Sequence, residues 1–206
     1  HQKYYRKAES MYYSIHNDRT HFAALGFDWK QIVALFGDAM DTRFDVNQTP
    51  RPYSELWKDE ITVTFSNAGG LTGSAIPDIA EHQGRLFISA KAYDLLYPLL
   101  KNDGEFLPVT CADGNGYMFN PLRLAEELGA LNEAHCVKNE WDEVEHIAFH
   151  EDKLTSVTAF RTEFDDYLSL FCNEKLKQAI EQHQLTGVTF NTNLGNPGGL
   201  ATNGPH

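Results

Sequence analysis

The sequence predicts an α+β fold, with a mixed or antiparallel sheet, packed helices and two related strand–helix–strand units. One unit covers about residues 85–110 and the other residues 167–190. In each, three apolar residues of strand character precede Ser89 or Asn173, residue types that are preferred at a helix N-cap. Apolar residues then recur at helical spacing, and a glycine closes each unit before a second apolar run. An apolar content of 42% over 206 residues supports a packed core.

Residues 1–60 are predicted to form a helical or irregular N-terminal lobe, rich in aromatic residues. Its clearest element is a helix over residues 29–36, with Asp28 as the N-cap and Gly37 as the stop. A Pro-Arg-Pro segment at residues 50–52 then interrupts regular structure and indicates a connection.

Residues 61–190 are predicted to form the α+β domain. Its first strand lies within residues 60–66, where apolar residues alternate with polar ones. The Gly-rich stretch 67–74 lacks the Gly-Lys-Ser/Thr ending of a phosphate-binding loop and is predicted to be an ordinary loop. After the first unit, Gly-Asn-Gly at residues 114–116 predicts a turn between two strands.

The region between the two units is predicted to contain one more helix and several short strands. Asn120 is expected to cap a helix that begins at Pro121 and ends at Gly129. Residues 134–161 alternate weakly, which predicts two or three antiparallel strands. The last segment, residues 191–206, is rich in Gly, Asn and Pro and is predicted to be a flexible tail.

The net charge is −12, with 29 acidic against 17 basic residues. Such a field repels nucleic acids and anionic membranes and attracts basic partners. No apolar run approaches the roughly 20 residues that span a bilayer, and the N-terminus lacks the apolar segment of a signal peptide. The three cysteines Cys111, Cys136 and Cys172 are widely spaced and predict reduced thiols. We therefore expect a cytoplasmic protein without nucleic-acid or membrane partners.

The sequence predicts no catalytic residue, no metal and no cofactor. His146 and His150 do not spell the metalloprotease motif, and on a strand they would lie about 13 Å apart. Carboxylate pairs such as Glu126-Glu127 favour a solvated face over acid/base machinery. A catalytic dyad or triad assembled from distant residues stays open, because its partners can come from anywhere in the fold.

The densest acidic run is the candidate partner-binding site. An exposed Trp could anchor a partner by burial, while carboxylates pair with Lys and Arg. The alternative is that the Trp enters the core and the acidic residues only face water. Asp38 and Asp41 with Asp45, or a group at residues 163–166, could serve instead. The run supplies Glu140, Trp141, Asp142, Glu143 and Glu145.

Several strings between residues 77 and 120, together with the closing segment 170–190, carry a family resemblance. The strings are Pro77-Asp78-Ile79, Leu86-Phe87-Ile88-Ser89 with Leu95, Glu105-Phe106-Leu107-Pro108-Val109 and Tyr117-Met118-Phe119-Asn120. They resemble immunity proteins of bacterial polymorphic toxin systems, which are encoded beside Rhs-type and type VI secreted toxins. The closing segment is similar to that family's C-terminal signature. The resemblance implies a protein that acts by binding, and it carries over no catalytic residues.

The resemblance and the charge together predict an immunity protein that neutralises one cognate toxin by stoichiometric blockade. Because nucleases bind phosphate and are commonly basic, a basic nuclease-type toxin is the expected partner of an acidic inhibitor. Two alternatives stay open. One is an enzyme that reverses the toxin's damage, and the other is a non-catalytic scaffold that forms a homodimer through a sheet edge or the tail.

Overall fold

The structure, a computed structural model, describes residues 11–58 and 60–194. In these ranges the α+β class is confirmed, with three helices and twelve strands. The helices are α1 (Trp29–Phe36), α2 (Ala90–Leu100) and α3 (Glu174–Gln182). The strands are β1 (Tyr12–Asn17), β2 (Ala24–Phe27), β3 (Ile61–Ser66), β4 (Ile79–His82), β5 (Arg85–Ser89), β6 (Gly104–Cys111), β7 (Gly114–Pro121), β8 (Val137–Lys138), β9 (Val144–His146), β10 (Ala159–Phe160), β11 (Phe171–Asn173) and β12 (Val188–Asn191).

The strands form three sheets. The largest has six strands in the order β2-β3-β6-β7-β5-β4, and only its β3–β6 pair is parallel. Its two edge strands approach each other, so that the Phe27 ring on β2 lies 5.1 Å from the His82 ring on β4. The second sheet is antiparallel, in the order β10-β11-β1-β12, and the third is the β8–β9 hairpin.

The two related units are confirmed as β5–α2–β6 and β11–α3–β12. Ser89 Oγ accepts a hydrogen bond from the Ala92 amide at 3.2 Å, and Asn173 Oδ1 accepts from the Leu176 amide at 3.1 Å. The likeness extends to strand pairing. The strands of the first unit flank β7, those of the second flank β1, and each central strand is antiparallel to both neighbours.

Side chains that alternate along the strands divide the interior into three cores. On β5, Leu86 and Ile88 face the core that α2 and α3 share, while Phe87 faces a second core covered by α1. On β1, Ile15 faces the shared core and Tyr12 faces a third core. The period of two along a strand therefore places each of the two larger sheets between two apolar layers.

The helix predicted over residues 121–129 is wrong. Asn120 belongs to β7, where it pairs with Glu105. Its side chain accepts from Arg85 Nε at 3.3 Å and donates to the Arg51 carbonyl at 2.9 Å. The amide is therefore already used in the interior and does not cap a helix, and the residues that follow form turns.

The N-terminal segment, predicted helical or irregular over residues 1–60, also contains β1 and β2. The helix predicted there is confirmed as α1, with the Lys30 amide donating to Asp28 Oδ1 at 3.1 Å. The signal for β1 was missing from the sequence because both of its faces are buried. Ser14 and His16 occupy positions where a half-exposed strand would show solvated residues.

The glycines of the units have other roles than ending helices. Gly104 starts β6, and a Cβ there would lie 2.2 Å from the Asn120 carbonyl oxygen. Gly187 has a φ of 113°, which residues with a side chain rarely adopt. The predicted β6–β7 hairpin is confirmed, but residues 112–113 make its turn, and residues 114–116 already belong to β7.

The short strands predicted over residues 134–161 are confirmed as β8, β9 and β10. Of the predicted tail, Asn191 ends β12 and Leu194 is buried in the third core, while residues 195–206 lie outside the described residues. The division into a lobe, a domain and a tail stays a prediction. Within the described ranges, the helices are too short or too polar to cross a membrane.

Candidate functional site

The acidic run lies at the tip of the β8–β9 hairpin, and one asparagine fixes its shape. Asn139 Oδ1 accepts from the amides of Trp141 and Glu143, each at 2.9 Å. Asn139 Nδ2 also donates to Glu143 Oε2 at 2.8 Å. Asp142 takes a left-handed φ of 64°, a conformation that Asp tolerates better than most residues. The tip is therefore a defined turn.

Trp141 projects from this turn into solvent, with 73% of its surface exposed. The alternative in which Trp141 enters the core is therefore wrong. An indole in this position offers a large apolar area that is already ordered by the turn beneath it, so that burying it against a partner costs little conformational entropy.

Carboxylates surround the exposed indole. Glu140, Asp142, Glu143 and Glu145 are all exposed. The one ion pair that the described residues place here joins Lys138 Nζ to Asp142 Oδ1 at 3.5 Å. Lys138 Nζ also lies 4.8 Å from the centre of the Phe164 ring. Most of the charge at the tip is therefore not neutralised, and the surface is negative around an aromatic centre.

The second predicted acidic group is a weaker candidate for the partner-binding surface, because an arginine neutralises part of its charge. Asp38 and Asp41 are exposed, but Arg43 Nη1 lies 3.9 Å from Asp38 Oδ1. Arg43 Nε also donates to Asp45 Oδ1 at 2.9 Å. This group follows α1, in the segment that covers the second core, whereas the hairpin belongs to the segment that covers the third.

The acidic group at residues 163–166 is divided, because Glu163 and Asp166 are exposed whereas Asp165 lies in the interior. Asp165 is buried, and its Oδ2 accepts from the Ser169 amide at 3.1 Å. Burial raises the pKa of the Asp165 carboxyl to about 6, against hydrogen bonds to Ser169 that lower it. Its role is therefore in the interior of the fold.

The structure contains one Ser–His contact that the sequence did not single out. Ser14 Oγ lies 2.7 Å from His16 Nε2 on the same face of β1. Both residues are buried, and Ser14 Oγ also donates to the Asn191 carbonyl at 3.3 Å. Burial, followed by the charge of Arg19, lowers the pKa of His16. We therefore interpret the pair as a contact within the sheet, where β1 lies beside β12.

The two histidines weighed as metal ligands are both exposed. His146 ends β9 and His150 precedes a short 3-10 turn. Over residues 11–58 and 60–194, no three His, Cys, Asp or Glu side chains converge as a metal site would need.

Two buried arginines are structural features that the sequence did not reveal. Arg85 Nη1 donates to the Val46 carbonyl at 3.0 Å, and Arg161 Nε donates to the Tyr167 carbonyl at 3.0 Å. Burial lowers the pKa of Arg85 to about 10 and that of Arg161 to about 9. They tie irregular segments to the sheets through backbone oxygens. The sequence did not predict that these arginines are buried, because an arginine beside the apolar residues of a strand is not by itself a sign of burial.

The arrangement is that of an α+β protein that presents an exposed aromatic side chain within an acidic surface, and aromatic side chains are enriched at protein–protein interfaces. Residues 126–193 match the model of the "Immunity protein family (Imm11)", which is about a third of the chain. The match contains both the hairpin and the second unit, and it confirms the resemblance to immunity proteins. No curated protein matches the chain. Similarity to an immunity family indicates a toxin-neutralising protein with a cognate toxin as its partner.

Proposed function

We propose that the chain binds one cognate secreted antibacterial toxin and neutralises it by stoichiometric blockade in the bacterial cytoplasm. The observation that carries this proposal is the immunity-family match over residues 126–193. The toxin would be the product of a polymorphic toxin system of the Rhs or type VI kind. Blockade requires binding only, and the exposed Trp141 within an acidic surface supports such a role.

The β8–β9 tip is the proposed contact surface. Trp141 would bury its ring in an apolar depression of the toxin, and Glu140 and Glu145 would pair with Lys or Arg around it. The turn held by Asn139 supports this role, because an ordered tip loses less freedom on binding than a loose loop. Asp38 and Asp41 would add charge outside this contact.

A basic toxin, and a nuclease in particular, is the proposed target. With a net charge of −12, the chain attracts positive proteins over distances of about one Debye length and raises the rate of encounter. Nuclease surfaces that bind phosphate are positive, so an acidic tip could occupy the same cleft.

Titration of toxin activity tests the proposal. The toxin encoded beside this chain is purified, and its activity is measured against increasing molar ratios of the protein. Blockade predicts a linear fall that ends at one chain per toxin, and a complex of that composition by light scattering. Protection at a small fraction of that ratio would instead favour an enzyme that repairs the damage, and no change in activity would sink both.

A further inference from the structure

A cavity of about 340 Å³ lies where the edge strands β2 and β4 of the six-stranded sheet approach each other. Its volume falls within the range of sites for small ligands, about 300–1,000 Å³. The loop after β1 and the Gly-rich loop complete its wall. The lining residues that matter for its chemistry are Asp18, Arg19, Ala24, Glu81, His82 and Gln83.

Glu81 supplies a carboxylate whose position is fixed and which forms no ion pair among the described residues. Its Oε1 accepts from the Gly84 amide at 2.8 Å. Its backbone amide donates to Asn17 Oδ1 at 2.7 Å, and its carbonyl accepts from Asn17 Nδ2 at 2.8 Å, so Asn17 acts as an extra strand beside β4. Among the described residues, Oε2 has no hydrogen-bond partner, and no cation lies within ion-pair distance of the carboxylate.

The charged and titratable side chains nearest to Glu81 in the cavity wall do not pair with its carboxylate. Asp18 is engaged, because its Oδ2 lies 2.8 Å from the His21 ring and its Oδ1 accepts from the Thr20 amide. Arg19 is exposed at the rim, where solvent screens its charge. Burial lowers the pKa of His82 to about 4, so that its ring is neutral near pH 7.

Burial raises the pKa of Glu81 to about 7, because desolvation disfavours its charged form. The Gly84 hydrogen bond and the charges of Arg161 and Arg19 act in the opposite direction, and Asp165 acts with burial. Gln83 Oε1, on another lining residue, also has no partner. Glu81 Oε2 and Gln83 Oε1 are therefore acceptors without a protein donor among the described residues, and a ligand that brings donors would complement them.

We propose that this cavity binds an organic cation, a guanidinium or ammonium group, with the Glu81 carboxylate as its counter-charge. A guanidinium group carries five N–H donors and an ammonium three, and neither has an acceptor. The cation can come from a basic side chain of the partner or from a free small molecule, since both present the same group. The site does not depend on the hairpin and goes beyond the proposed function.

Ethylguanidinium is the probe for the test, titrated into ¹⁵N-labelled full-length protein. The Gly84 amide reports directly, because it donates to the Glu81 carboxylate. We expect saturable shifts of this amide, with an affinity that rises about tenfold between pH 6 and pH 8 as Glu81 loses its proton. Shifts that do not saturate, or an affinity without this pH dependence, would overturn the proposal.

Variants separate a specific site from general attraction to an acidic protein. Glu81→Gln keeps an oxygen for Gly84 and removes the charge, so probe binding should fall at least tenfold. Ala24→Tyr places a large side chain at the exposed rim of the cavity, keeps the Glu81 carboxylate and should also abolish binding. The matched control Glu133→Gln changes an exposed glutamate outside the cavity lining and should leave binding unchanged. Equal binding by Glu81→Gln and the natural protein rejects the site.

The toxin identifies the source of the cation. If Glu81→Gln weakens toxin binding and ethylguanidinium competes with the toxin, the ligand is a basic side chain of the partner. If Glu81→Gln binds the toxin normally while the probe still requires Glu81, the ligand is a free small cation. If the toxin binds neither the natural protein nor Glu81→Gln, the result contradicts the proposed function alone, because the probe titration does not involve the toxin.

Discussion

Acidic residues that look alike in the sequence differ in their solvent exposure in the structure. Glu81 and Asp165 have carboxyl pKa values raised by burial, whereas Glu140 and Glu145 lie in water. The acidic run around Trp141 could be identified from the sequence because its composition alone is unusual. Glu81 could not, because its environment comes from chain segments that lie far apart in the sequence, and no local pattern encodes that meeting.

Truncation of Trp141 tests the hairpin at the level of one side chain. We expect Trp141→Ala to weaken toxin binding by about 2 kcal/mol, or about 30-fold, as for a central interface anchor. The melting temperature should stay unchanged, since 73% of the residue is exposed. Isothermal titration calorimetry against an inactive toxin variant measures the first quantity and calorimetric unfolding the second.

Trp29→Ala is the matched control for this substitution. Trp29 is also exposed, at 59%, but it is the first residue of α1 and does not belong to the hairpin. Its removal should leave toxin affinity unchanged. Equal losses for the two variants would mean that general apolar surface drives binding, and no loss for Trp141→Ala would remove it from the interface.

The raised pKa of Glu81 predicts how stability depends on pH. Its pKa lies near 7 in the folded chain against 4.5 for the ordinary carboxyl. The unfolded chain therefore releases this proton first, and the folded state loses stability as pH rises from about 4.5 to about 7. Glu81→Gln removes this penalty. Its free energy of unfolding relative to the natural protein should rise by about 1 kcal/mol between pH 6 and pH 8.

Urea unfolding at both pH values measures this difference, and Glu133→Gln is the control. Glu133 is exposed, so that its replacement should produce no pH-dependent change. A difference between Glu81→Gln and the natural protein that is constant over this range would mean that Glu81 ionises normally in the folded chain.

At the scale of elements, local signals predicted the helices and missed the strand partners. Asp28, Ser89 and Asn173 each accept the backbone hydrogen bond expected of a cap. The insertion of β1 between the strands of the second unit joins segments about 160 residues apart, which no local pattern encodes. Asn120 shows the opposite error. Its residue type favours helix caps and led to a predicted helix, but its side chain is hydrogen-bonded inside a sheet.

The two caps of the units should contribute comparably to stability. Ser89→Ala and Asn173→Ala each remove a side-chain acceptor of a first-turn amide, which typically costs about 1 kcal/mol. Each side chain also makes one long hydrogen bond besides the cap, from Asn173 Nδ2 to the Val157 carbonyl at 3.4 Å and from Ser89 Oγ to Asp78 Oδ1 at 3.5 Å, so the two losses should be similar. Denaturant unfolding measures both losses. Ser54→Ala, at an exposed residue outside the helices, is the control, and a loss of the same size there would contradict the assignment of the caps.

At the scale of the whole molecule, the fold assigns different roles to different parts of the chain. The shared core joins the two units, and the second and third cores hold the covering segments that carry the exposed acidic groups. The immunity-family match spans the hairpin, the third core's covering segment and the second unit. The segment that matches the family model, residues 126–193, is therefore also the one that presents Trp141 to solvent. The net charge of −12 follows from the sequence, but its distribution over the surface of the fold does not.

Reversal of charge at the hairpin separates local contact from the overall field. Glu140→Lys with Glu145→Lys should slow toxin association about tenfold at low salt and reduce its salt dependence, because steering depends on charge near the contact. Neither side chain forms an ion pair within the described ranges, so stability should not change. Asp94→Lys with Asp113→Lys makes the same change in net charge at exposed positions on α2 and in the β6–β7 turn. Stopped-flow association at several salt concentrations compares the two pairs. Equal slowing would assign the attraction to net charge, whereas slowing by the hairpin pair alone places the toxin at this tip.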